Sequence, residues 1–100
     1  MIQGISHITF IVKDLKKTTN FLTYVFDAEE VYFSEEKTFS LSKEKFFLIN
    51  GLWIAIMEGE PLAERTYNHI AFKIDEEDFE MYEKRIKNLE VDVRVGRSRV

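Results

Sequence analysis

Two residues carry the first chemical signal. The chain has only two histidines, His7 and His69, and both sit at the same position of a repeated phrase. Ile5-Ser6-His7-Ile8-Thr9-Phe10-Ile11-Val12 is echoed by Tyr67-Asn68-His69-Ile70-Ala71-Phe72-Lys73-Ile74. Each copy alternates with the period of a strand and is rich in β-branched and aromatic residues. His7 shares a face with Ile5, Thr9 and Ile11, away from the stripe of Ile8, Phe10 and Val12. His69 shares a face with Tyr67, Ala71 and Lys73, opposite Ile70, Phe72 and Ile74. A single histidine in a strand reads as a structural hydrogen bonder. Two, placed identically in a repeat, predict two imidazoles converging on one metal ion.

Imidazole suits Zn, Mn, Fe, Ni and Cu alike, so the residues themselves leave the metal open. With no cysteine in the chain, any further ligand must be a carboxylate oxygen, and catalysis needs such a third ligand plus open positions. No carboxylate lies on the ligand face of either histidine strand. Glu44 and Glu58 are the candidates in the first half, and both read more simply as solvated. Thr9, beside His7, has no acidic partner at an obvious spacing, which argues against a nucleophilic triad. The glycines stand scattered at 4, 51, 59 and 96 and build no phosphate loop. Arg94, Arg97 and Arg99 read as a solvated terminus.

The elements that must position these residues follow from local patterns. Asp14 is a plausible N-cap for a helix over Leu15–Phe26, with Leu15, Phe21, Leu22, Val25 and Phe26 on its apolar side and Lys13, Lys16 and Lys17 away from it. Glu30-Val31-Tyr32-Phe33 reads as a short strand, whereas Thr38–Lys45 alternates weakly. Phe46–Ile49 and Leu52–Met57, separated by Asn50-Gly51, form a hairpin signal, because Asn and Gly tolerate positive φ at both central positions. Trp53, Ala55 and Met57 are expected on one face of the second arm, Leu52, Ile54 and Ile56 on the other. The segment from Glu58 to Thr66, with the only proline, Pro61, reads as a linker. Acidic residues 75–78 open a second helix with Phe79, Tyr82, Ile86 and Leu89 on one face, and residues 90–95 alternate as a strand.

One hundred residues, 45% hydrophobic, allow one domain or two half-modules. A net charge of −4 argues against a nucleic-acid partner. No secretory leader and no run long enough to span a membrane are evident, so a cytoplasmic location is expected.

The order β-α-β-β-β, then β-α-β, with a histidine opening each half, resembles the vicinal-oxygen-chelate (glyoxalase/bleomycin-resistance/dioxygenase) superfamily, and within it the FosX-type fosfomycin-resistance epoxide hydrolases. The segments that carry the resemblance are Ser6–Thr9, Thr38–Ile49, Gly51–Ile54 and Glu64–Phe72. It implies an α+β fold of paired βαβββ modules, the first over 1–60 and the second over 61–100, which reaches only β-α-β in this chain. It implies a divalent metal, Mn(II), held by His7, His69 and a glutamate on the last strand of the second module. That third ligand, with the basic groups that grip the phosphonate, falls outside these residues. Glu44 matches the general base that activates water against the epoxide. Thr9 and Tyr67 match residues lining the fosfomycin pocket, and Trp53 its wall. A domain-swapped homodimer follows, each site taking its first histidine from one subunit and the rest from its partner. Two rival readings remain: a thiol transferase opening the same epoxide, and a binding-only protein of the same fold.

Overall fold

A computed structural model describes residues 1–34, 43–64 and 66–89. The chain clusters into two compact units, Met1–Ile70 and Ala71–Val100. The first holds a four-stranded sheet and one helix: β1 (His7–Val12), α1 (Leu15–Phe26), β2 (Glu29–Ser34), β3 (Glu44–Ile49) and β4 (Leu52–Glu58). The order expected for a βαβββ module is therefore present. The sheet runs β1-β4-β3-β2, with β1 parallel to β4 and the remaining pairs antiparallel.

Local chemistry explains each boundary. The Asp14 carboxylate accepts from the Lys17 backbone N–H at 2.9 Å, satisfying one of the donors that a helix start leaves without a partner. At the other end Asp27 adopts a left-handed φ of 55°, and the Ala28 N–H donates back to the Leu22 carbonyl at 3.2 Å. The Asp27 N–H donates to the same carbonyl, a six-to-one closure that stops the helix and sends the chain into β2. Asn50 and Gly51, with φ of 45° and 84°, form the tight turn between β3 and β4; positive φ at both places matches the right-handed twist of the paired strands.

The two faces of the sheet differ. Leu15, Leu22 and Ala28 pack with Phe47 and Ile56 into the core, with Val12, Phe21, Phe26 and Ile49 around them. Phe47 is wholly buried, so α1 covers this side. By register, the opposite face carries His7, Thr9 and Ile11 of β1, Trp53, Ala55 and Met57 of β4, and Glu44, Phe46 and Leu48 of β3. A register shift between Glu30 and Tyr32 leaves Val31 as an extra residue and sets Tyr32 opposite Phe46, on that same face.

The expected strand over residues 67–74 is corrected by the structure. No strand forms there, and residues 68–75 run without regular structure. A strand exists only as half of a hydrogen-bonded ladder, and among the described residues none pairs with this segment. The second unit contains a 3-10 turn, Glu76–Asp78, leading into α2 (Phe79–Asn88). The Thr38–Lys45 run lies, as far as residue 42, outside the described residues, as do the strand expected over 90–95 and the terminal arginines.

Candidate functional site

Four of the expected site residues share the face that α1 leaves uncovered. His7 opens β1 directly opposite Trp53 on β4, and Thr9 follows two residues on, opposite Ala55. His7 and Thr9 are exposed, and Trp53 keeps 39% of its surface in water. Glu44 sits at the start of β3, opposite Met57, half-buried on the same face. Two strands across and four residues along separate it from His7, about 16 Å between Cα atoms in a flat sheet and less once the sheet coils. Thr9, Ala55 and Phe46 floor the space between imidazole and carboxylate.

Four aromatic rings meet on this floor. Phe46 contacts His7 edge to face, with ring centroids 5.7 Å apart at 61°, and also touches Tyr32 at 6.1 Å and Trp53 at 6.4 Å. Such T-shaped pairs set the positive edge of one ring against the negative face of the other. The sequence reading missed Phe46 and Tyr32. Period-two alternation from Glu44 would have placed Phe46 on the face, whereas Tyr32 arrives there only through the bulge.

The nitrogens of the two histidines are arranged differently. His7 Nδ1 lies 3.1 Å from Ser6 Oγ, which can donate or accept. His69 Nδ1 lies 2.8 Å from the Tyr67 carbonyl. A carbonyl only accepts, so this Nδ1 carries a proton and the lone pair of the neutral ring resides on Nε2. In His69 this leaves Nε2 as the unprotonated nitrogen, the donor chemistry that a borderline divalent cation takes. His69 and Tyr67 are placed by the irregular segment and not by a strand, and Tyr67 is fully exposed. Among the described residues no group of three histidine or acidic side chains comes together. Two imidazoles are thus available as donors, and a metal bound by them needs a further ligand.

Comparison with known proteins establishes the family. The model of the Glyoxalase/Bleomycin resistance protein/Dioxygenase superfamily matches residues 4–100. The fosfomycin resistance protein FosX of Listeria innocua is 66% identical over the whole chain, which spans 75% of that protein. The metallothiol transferase FosB of Bacillus licheniformis is more distant, 36% identical over 98% of the chain and 62% of its own length. A crystal structure of a variant FosX from Listeria monocytogenes, complexed with Mn(II) and 1S,2S-dihydroxypropylphosphonic acid, superposes with a TM-score of 0.87 at 65% identity, covering all of this chain and 79% of that one. The protein belongs to the Glyoxalase/Bleomycin resistance protein/Dioxygenase superfamily and, within it, to the FosX fosfomycin resistance proteins.

Proposed function

We propose that this protein opens the epoxide of fosfomycin with water, in a metal-dependent reaction that yields the diol and confers resistance. The observation that carries the reading is the common placement of His7, Thr9, Trp53 and Glu44 on one uncovered sheet face. It occurs in a chain two-thirds identical to FosX. A FosX crystallised with Mn(II) and a dihydroxypropylphosphonic acid, the skeleton expected of the diol, supports both the metal and the product.

In this reading His7 and His69 hold the metal through Nε2, together with a carboxylate. The bound Mn(II) supplies Lewis-acid stabilisation of the oxirane oxygen as its C–O bond breaks. Glu44 accepts a proton from water at a carboxylate oxygen while the water oxygen bonds to an oxirane carbon. The released oxygen then gains a proton from solvent while Glu44 gives its own up to solvent, so the two hydroxyls of the diol account for every atom of the epoxide and the water. Thr9 and Tyr67 offer hydroxyls to the phosphonate. Trp53 and Phe46 present apolar surface that limits bulk water beside the oxirane. Residues 1–60 make up the first βαβββ module, and residues 61–100 belong to the second, of which the described residues form α2. The working unit is a homodimer whose sites are shared between subunits. With no helix among the described residues long and apolar enough to cross a membrane, a cytoplasmic enzyme is the consistent placement.

The experiment is direct. Incubation with fosfomycin and Mn(II), without thiol, is followed by phosphorus NMR; diol is expected, and its absence until a thiol is added would select the transferase reading instead. Glu44→Gln should lower turnover by about 10²- to 10⁴-fold while leaving metal affinity unchanged.

A further inference from the structure

We propose that Phe46 is a positioning residue for His7, and that Ala55 is small in order to let the two rings meet. The inference rests on the reading of His7 as a metal ligand. His7 stands on β1 and Phe46 on β3, with β4 between them and one row of offset. Strand spacing puts their Cα atoms about 12 Å apart, yet the ring centroids are 5.7 Å apart. Both side chains must therefore lean inward over the strand between them. The residue beneath is Ala55, opposite Phe46 on one side and Thr9 on the other. Ala55 is wholly buried although His7, Thr9 and Trp53 around it are exposed, as expected where neighbours close over it. A longer side chain at 55 would fill the gap and part the rings.

The consequence for His7 is rotational. Ser6 Oγ engages Nδ1 at 3.1 Å, and Phe46 meets the ring at 61°. Between them they select one setting of an exposed imidazole that would otherwise sample several, because its terminal torsion is soft. Phe46 is itself braced by Tyr32 and Trp53 at 6.1 and 6.4 Å. Nε2 is thus presented before a cation arrives, and part of the ordering cost of binding is removed beforehand.

The test compares Phe46→Leu and the milder Phe46→Met with Phe46→Tyr, which keeps the ring, and with Phe47→Leu, which weakens the core on the opposite face. Histidine-selective ¹⁵N and ¹³C labelling of the metal-free protein reads the order and tautomer of the His7 ring. Electron paramagnetic resonance reads the dissociation constant for Mn(II). Phe46→Leu and Phe46→Met should mobilise the ring and weaken Mn(II) binding by about three- to tenfold, the size of one aromatic edge contact. Phe46→Tyr should restore both, and Phe47→Leu should lower Tm while moving neither. Ring order unchanged in the folded Phe46 variants, or disturbed equally by Phe47→Leu, overturns the proposal. Should the unaltered protein bind no Mn(II), the metal reading fails by itself, and ring order still decides the role of Phe46.

Discussion

The hydrogen bond between His69 Nδ1 and the Tyr67 carbonyl, 2.8 Å long, assigns the proton within that ring and so assigns the nitrogen a metal can take. Nitrogen-15 shifts should show a protonated Nδ1 and a bare Nε2 in the neutral ring; the reverse pattern would remove His69 as an Nε2 ligand. Outer-sphere partners of ligating histidines are each worth about 10- to 100-fold in metal affinity. Loss of the ligand itself should cost at least as much, so His7→Ala and His69→Ala are each expected to weaken Mn(II) binding by about 100-fold or more, measured by titration. At this scale the sequence was largely legible. Period two put His7, Thr9 and Trp53 on their faces, and the same count places Glu44. The His7–Phe46 contact was not, because it joins side chains two strands apart and depends on a register that no local pattern states.

Elements whose ends are chemical events within a few residues were legible in the same way. The cap of α1 is one carboxylate reaching three residues ahead, and the β3–β4 hairpin is two residues of positive φ. Asp14→Ala should therefore destabilise the protein by about 1 kcal/mol in urea unfolding. Phe47→Ala, which empties a fully buried site beneath α1, should cost about 3 to 5 kcal/mol in the same assay. Residues 67–74 carry as good a strand pattern as β1 and yet form none. β1 has β4 beside it along six residue pairs, whereas the second phrase has no described neighbour. Alternation states a readiness to pair, and pairing itself is a non-local event. The β2 bulge escaped for a related reason: Val31 is an unremarkable strand residue until β3 is laid alongside.

For the molecule as a whole, the uncovered face poses the question of what completes it. Ile11, Tyr32 and Trp53 leave 47, 54 and 39% of their surfaces in water next to His7, and an apolar face beside a ligand calls for a cover. A second copy related by two-fold symmetry would supply one, and the proposed shared-site homodimer makes a sharp prediction. His7→Ala and His69→Ala should each be inactive alone. Mixed and allowed to exchange subunits, half of the dimers become hybrids, and in each hybrid one site combines two altered positions while the other combines two intact histidines. Activity should return to about a quarter of the unaltered level, since an isologous pairing repeats each contact twice. If both histidines of a site came from one chain, every site in the mixture would lack one of them and nothing would return. Turnover of fosfomycin before and after exchange, followed by phosphorus NMR, separates the two arrangements, and equilibrium sedimentation confirms that hybrids could form.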